Sequence, residues 1–400
     1  MVTLVSYLLV FVSLLLAVPA VLLAVEVMAA LTLRRAGTTG YTKRHIRQST
    51  AVTAVLVPAH NEGVGILSTI ADIKSQLFSS DRLLVVADNC SDDTASITEA
   101  TGTEVVQRDE PGRLGKGYAL DFGLKHLSLN PPDIVVIIDA DCRIDEGAIE
   151  RLTTACIATG QPVQGLDLMT APNKSPINYR VAEFAWRIKN WVRPLGLNHL
   201  ALPCQLMGTG MAFPWPLIRS ANLATGSIVE DLKLGLDLAQ SGAAPIFCPA
   251  ARVTSQFPQS LAGAKNQRKR WEEGHISLIL SIVPRYILES IAHKNLNLLV
   301  LTLDTAIPPL SLLVLLLVGM MSIAAAAALV GMTPVPFVIS LAAIVFFALA
   351  IFLSWLKFGR DILPPSAFGS IVPYILGKIP IYRQLLSGKR PSSWTRTDRN

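Results

Sequence analysis

Long apolar stretches at the two ends of the chain enclose a block in which short apolar runs alternate with polar loops. Residues 4 to 33 are almost wholly apolar, with Glu26 the only charge. That run exceeds the ~20 residues that cross a bilayer. Two further apolar runs, 306–330 and 336–356, flank Gly331-Met332-Thr333-Pro334, a pattern that predicts a helical hairpin closed by a tight turn. Between the ends, the spacing predicts strands at 51–57, 82–87, 104–106 and 134–138, with helices over 68–76, 95–100 and 118–127. Short buried strands alternating with helices indicate βαβ units and a mostly parallel sheet. Ligands bind such sheets beyond the C-terminal strand ends. Three carboxylate-bearing loops fall there: Pro58-Ala59-His60-Asn61-Glu62, Asp88-Asn89-Cys90-Ser91-Asp92-Asp93 and Asp139-Ala140-Asp141.

Composition extends this picture. The 400 residues are 51% hydrophobic and only 16% charged, against about 25% charged in soluble domains. The net charge of +6 is concentrated where apolar runs end: Arg34, Arg35, Lys43, Arg44 and Arg47, then 265–270 and Lys294, then 378–399. This distribution points to anionic lipid headgroups rather than nucleic acid. The positive-inside rule gives one topology: N-terminus outside, residues 34–295 inside, a hairpin, and the C-terminus inside. No Lys or Arg precedes Arg34, so a retained anchor is expected rather than a cleaved leader. Asp304, just before the hairpin and close to Pro308-Pro309, reads either as an interfacial acid or as the mark of an acceptor-lipid site. The five cysteines are odd in number and lack C-x-x-C spacing. A disulfide framework or zinc cluster is therefore not expected, and a reducing cytoplasmic compartment at the inner (plasma) membrane fits. The expected organisation is an anchor (1–33), a basic linker (34–50), a catalytic domain (51–275), interfacial helices (276–305), a transmembrane hairpin (306–357), and an interfacial helix over 368–386 within a basic tail (358–400).

The polar residues suggest specific chemistry. Asp139 and Asp141, two apart at a strand end, can share a face. They either hold a hard cation such as Mg2+ or Mn2+ beside substrate phosphates or cap the following helix. Arg113-Leu114-Gly115-Lys116-Gly117 is a compact basic turn before a helix, suited to an anion, although it lacks the spacing of a Walker loop. Glu230-Asp231 opens a helix, where acids favour the dipole. A carboxylate there can also take the proton of an acceptor hydroxyl. Gln267-Arg268-Lys269-Arg270-Trp271 combines an amide, a guanidinium for phosphate oxygens and an indole. The same residues also suit a basic helix at a membrane interface.

Taken in order, Ala59 with Glu62, Asp88, Arg113-x-Gly115-Lys116-Gly117, Asp139-x-Asp141, Glu230-Asp231 and Gln267-x-x-Arg270-Trp271 resemble the family 2 inverting glycosyltransferases. Within them, the series is similar to the membrane branch of cellulose, chitin and hyaluronan synthases and ceramide glucosyltransferase. The resemblance covers roughly residues 50 to 275. It implies a GT-A fold, a nucleotide-sugar donor (usually UDP-linked) and no covalent intermediate. By the same resemblance, Ala59 and Glu62 lie near the nucleotide, Asp88 contacts the base with Lys116 close by, and Asp139 contacts the nucleoside. Asp141 holds the metal, Asp231 is the general base beside Glu230, and Gln267, Arg270 and Trp271 line the diphosphate and acceptor end. Gly208-Thr209-Gly210 resembles the segment that approaches the acceptor. The sequence departs from the pattern at Ala87, where the family often has an acid before Asp88. Three spans are few to enclose a polymer channel, so a lipid-linked acceptor is expected. Processive synthesis by a homo-oligomer and a non-catalytic nucleotide-binding scaffold are the alternatives.

Overall fold

The computed structural model describes residues 2–32, 51–173, 175–224, 226 and 228–386. The basic linker at 34–50 and the tail beyond 386 lie outside the described residues.

The central block folds around one eight-stranded sheet in the order β3-β2-β1-β4-β7-β6-β8-β5. The strands are β1 (Thr53–Ala59), β2 (Arg82–Asp88), β3 (Glu104–Arg108), β4 (Ile134–Ile137), β5 (Arg143–Ile144), β6 (Val163–Thr170), β7 (Met211–Pro214) and β8 (Ile246–Gln256). β1 lies parallel between β2 and β4, with Ala54 opposite Arg82 and Val55 opposite Val136. β2 pairs in parallel with β3, and β6 with β8. β7 runs antiparallel to both β4 and β6, and β5 runs antiparallel to β8. The four strands and three helices expected up to residue 138 are all present, with ends shifted by a few residues.

Period-two alternation explains why β1 is apolar throughout. Val55 and Val57 pack with Ile66, Ile70 and Ile73 on one face. Ala54 and Leu56 pack with Leu120, Leu124 and Leu127 on the other.

The helix Leu261–Ser281, capped where the Ser260 hydroxyl accepts from Gly263 N–H at 3.0 Å, carries the Gln267–Trp271 segment. It bends by 44° into Val283–Ala292, and Leu296–Thr305 follows. These helices share an apolar core with Leu232, Leu236 and Ala239 of the helix Glu230–Gln240.

Among the described residues, three helices are long and apolar enough to cross a membrane, starting with the N-terminal helix, Val2–Thr32. The others, Leu310–Leu329 and Val335–Phe358, form the expected hairpin. Ala20, Leu23 and Val27 of the first share a core with Phe347 and Ala350 of the hairpin and with Val181, Phe184 and Ile188 of the central block. The single helix expected over 368–386 is instead a 3-10 turn (Pro365–Ser370) and two short helices (Ile371–Leu376 and Ile379–Leu386). Gly377 and Pro380 separate the latter two, because Gly weakens a helix interior and Pro suits a helix start.

Candidate active site

Two loops meet at the C-terminal edge of the parallel strands. Ala59 is paired with Ala87, which puts Asp88 beside the loop of His60 and Glu62. A His60 ring nitrogen, Nδ1, lies 2.6 Å from the Asp88 carbonyl oxygen. The amides of Glu62 and Gly63 both donate to the Thr94 hydroxyl at 2.9 Å. Asp88 is 6% exposed. Its carboxylate accepts from Arg108 Nη1 at 2.5 Å and from Asn89 Nδ2 at 3.0 Å. Burial pushes the Asp88 carboxyl up, and Arg108 opposes this. Arg108 also lies 5.4 Å from the Tyr118 ring centroid, linking this loop to the turn at Lys116.

Lys116 is the first residue of its helix and follows Gly115, whose φ of 136° opens the turn. Its ammonium donates to the Gly208 carbonyl at 2.7 Å and pairs with the Asp139 carboxylate. Gly208 has φ +95°, a conformation that favours glycine. A Cβ there would lie 3.4 Å from Asp231 Oδ2 and 3.5 Å from Lys116 Nζ. The missing side chain thus leaves room where the candidate base and the lysine approach each other. The neighbouring Thr209 hydroxyl accepts from the Asp139 amide at 3.0 Å.

Glu230 and Asp231 form the first turn of the helix Glu230–Gln240, and Asp231 Oδ1 accepts from Leu232 N–H at 2.8 Å. Burial, reinforced by the charge of Asp231, pushes Glu230 up to about 8. Burial also raises Asp231, opposed first by Lys189 and then by its backbone donor and Lys116. Burial alone would lower Lys116, but Asp139, Glu230 and Asp231 outweigh it and hold the ammonium charged.

Lys116, Asp139, Gly208, Glu230, Asp231, Gln267, Arg270 and Trp271 line one cavity of about 430 Å³. Gln267 is 4% exposed, and its Oε1 has no partner among the described residues. Trp271 packs on Trp186 at 5.1 Å between ring centroids. The cavity continues past Val314, Phe347 and Ile351 of the hairpin and past Ile371 and Tyr374 of the C-terminal helices. Ala59, Glu62 and Asp88 stand at the adjacent strand ends outside its lining, as do Thr209 and Asp141.

The described residues contain no cluster of three His, Cys, Asp or Glu able to hold a metal. At the end of β4, Asp139 and Asp141 offer carboxylate oxygens two residues apart. That set fits a hard divalent cation such as Mg2+ or Mn2+, which takes its remaining ligands from water and substrate phosphate. It does not fit a closed zinc site.

Sequence reasoning missed Lys189 and Arg193, which also line the cavity. Arg193 is buried and binds Glu26 of the N-terminal helix through Nε at 2.9 Å. Its Nη2 pairs with the Asp304 carboxylate and donates to the Asp304 carbonyl at 2.7 Å. Asp304 is therefore not an exposed interfacial acid: it is 5% exposed and holds Arg193 in place. A short run of mixed residues gives no signal for ion partners 167 and 111 positions away.

The pattern of the family described as "Glycosyltransferase like family 2" matches residues 50–274. Over 248 residues the chain is 25% identical to the probable glycosyltransferase YdaM of Bacillus subtilis, covering 58% of this chain and 57% of that protein. Over 123 residues it is 37% identical to an uncharacterized glycosyltransferase of Mycobacterium tuberculosis, covering 29% and 51% respectively. The chain thus matches about half the length of these curated relatives. The mannosyltransferase PcManGT of Pyrobaculum calidifontis, solved with GDP-Man and Mn2+, aligns with a TM-score of 0.54 at 16% identity. That alignment covers 96% of this chain and 100% of the other. With more than half of its residues matching the family and its sheet sharing the architecture of that neighbour, the chain belongs to the family 2 glycosyltransferases and has the GT-A fold.

Proposed function

We propose that the protein is a membrane-bound inverting glycosyltransferase of the branch carrying Q-x-x-R-W, moving a sugar from a nucleotide-sugar, of the UDP-linked type, to a lipid-linked acceptor. The observation that carries this reading is the cavity lined both by Asp139, Glu230 and Asp231 and by Phe347 and Ile351 of an apolar helix. A soluble acceptor has no use for the apolar lining, whereas an amphiphile fits both.

In this reading Ala59, Glu62 and Asp88 receive the nucleoside, with Asp139 and Lys116 between it and the sugar. Asp141, beside Asp139, would hold a divalent cation, which would supply charge neutralisation for the donor diphosphate. Asp231 takes the proton of the acceptor hydroxyl as its oxygen bonds to the anomeric carbon. The nucleoside diphosphate leaves with the electron pair of the broken bond, and Arg270 faces its charge. A single displacement inverts the anomeric centre. The raised position of Asp231 suits a general base. The catalytic block faces the cytoplasm, with the three apolar helices in the membrane.

The test is nucleoside diphosphate release by the purified protein in nanodiscs, across UDP- and GDP-sugars, with and without lipid extract. Release from one donor that depends on lipid and is lost in Asp231→Ala supports the reading. Metal-supplied, folded protein that binds no donor overturns it in favour of a non-enzymatic role.

A further inference from the structure

One wall of the cavity carries cationic and N–H groups that the transfer reaction, as described, leaves unused. The helix Ile177–Arg187 runs through a π-turn, Ile188–Val192, into the helix Arg193–His199. Such turns insert an extra residue and recur at functional sites. Trp186, Lys189 and Arg193 from this stretch all line the cavity.

Their hydrogen-bonding state is unusual. Trp186 Nε1 is buried and has no partner among the described residues. Lys189 makes no ion pair or hydrogen bond among the described residues, and its ammonium lies 5.5 Å from the Trp186 ring centroid. Arg193 is 4% exposed and fixed through Nε and Nη2 by Glu26 and Asp304. Its Nη1 is left without a partner among the described residues. An ammonium held in a cavity without an ion-pair partner is costly. Burial accordingly lowers Lys189, against the charges of Asp231, Asp167 and Asp304, while Arg193 lowers it further. An anionic ligand that brings its own acceptor oxygens would satisfy the Lys189 ammonium and Arg193 Nη1, with the Trp186 ring as the wall beside the ammonium.

The position along the cavity indicates what kind of anion. Lys189 is the charge that most opposes the rise of Asp231, and its neighbours Ile188 and Val192 pack in one core with Phe347 of the hairpin. A group bound there has its reactive end at Asp231 and its other end among hydrocarbon side chains.

We infer that Lys189 and Arg193, beside the Trp186 ring, form a subsite for the phosphate of an amphipathic acceptor, so that the enzyme selects phosphate-bearing lipids over neutral ones. This rests on the lipid-acceptor reading above and narrows it. Arg193, oriented by Glu26 and Asp304, fixes the far side of the phosphate, and Lys189 supplies the mobile charge.

The test is binding to full-length protein in phosphatidylcholine nanodiscs. The probes are a phosphorylated long-chain isoprenoid alcohol, the same alcohol unphosphorylated, and inorganic phosphate as competitor. The wild type is expected to bind the phosphorylated lipid about tenfold or more tightly than the alcohol, as charge-assisted hydrogen bonds warrant. Lys189→Met removes most of that preference, and Lys189→Arg restores it. Equal binding of both lipids, or an unchanged preference in Lys189→Met, overturns the subsite. Inorganic phosphate competing as well as the phosphorylated lipid overturns the amphiphile and points to a soluble phosphate compound. Nucleoside diphosphate release is read on the same samples. Release without lipid discrimination sinks the subsite and leaves the transferase reading standing, whereas discrimination without release from any donor does the reverse.

Discussion

At the scale of single residues, the site depends on how three side chains meet across Gly208. Asp231→Asn keeps the shape of the side chain but removes the proposed base. Turnover is expected to fall about 10²- to 10⁴-fold, with donor affinity retained in a calorimetric titration. Because burial raises Asp231 above its ordinary value of 3.8, the acid limb of the rate profile is expected to lie above that of an exposed aspartate. The base works only when ionised, so activity is lost as pH falls through that raised value. Lys189 opposes the rise; Lys189→Met therefore moves the limb to higher pH, which a pH–rate profile of the variant checks. Gly208→Ala puts a methyl 3.4 Å from Asp231 Oδ2 and 3.5 Å from Lys116 Nζ, at a φ of +95°. It is expected to lower turnover and, because Ala is strained at that φ, to lower the midpoint of thermal unfolding as well. Asp139, Asp141, Lys116 and Asp231 were legible from sequence because each follows a strand or opens a helix, where chemistry is expected. Lys189 was not, since a lysine three residues from a tryptophan in a mixed helix carries no pattern of its own. Its meaning comes from carboxylates and spans that only the fold brings near.

At the scale of elements, the C-terminal helices act as a fastening over the cavity. Lys378 pairs with Glu272, Tyr382 OH donates to Glu272 Oε2 at 3.0 Å, and Lys269 Nζ donates to Gln384 Oε1 at 2.8 Å. All three contacts reach the helix that carries Gln267, Arg270 and Trp271. Truncation after Pro364 removes Ile371 and Tyr374 from the cavity wall. The Michaelis constant for a lipid acceptor is then expected to rise, while donor binding stays within about twofold. The first four strands could be read from sequence because they are short and rich in β-branched residues, and β1, β2 and β4 are buried on both faces. The last four could not. β6 carries the buried polar residues Gln164 and Asp167. β8 contains Pro249, and its pairing with β6 shifts register between Gly165 and Leu166. These features break the alternation that marks a strand. The C-terminal segment read as one helix because its apolar spacing continues through Gly377 and Pro380, where the backbone does not.

At the scale of the molecule, no clean boundary separates an anchor from a catalytic domain. Val181, Phe184, Ile188 and Val192 of the catalytic block are buried only together with the N-terminal helix and the hairpin. A fragment of residues 51–275 is therefore expected to expose that patch and to precipitate without detergent, which a sedimentation assay of the expressed fragment decides. The order of the chain showed where the spans were, but not that the sheet domain borrows part of its core from them. The closest joint is at Gly196, where a Cβ would come within 1.9 Å of the Glu26 carbonyl oxygen. The two backbones touch with no room for a side chain, so these helices move as one piece. The N-terminal helix has 31 residues, about 46 Å at 1.5 Å per residue. The hydrocarbon layer is about 30 Å thick, so a helix of this length leans to fit. In a membrane its lean would follow the thickness of the bilayer and would carry Arg193, one turn from Gly196, with it. The acceptor's Michaelis constant is accordingly expected to change with the acyl-chain length of the surrounding lipid, and donor affinity to stay constant, in nanodiscs of graded thickness. The composition of the membrane would then act as a setting on the enzyme, read through a glycine.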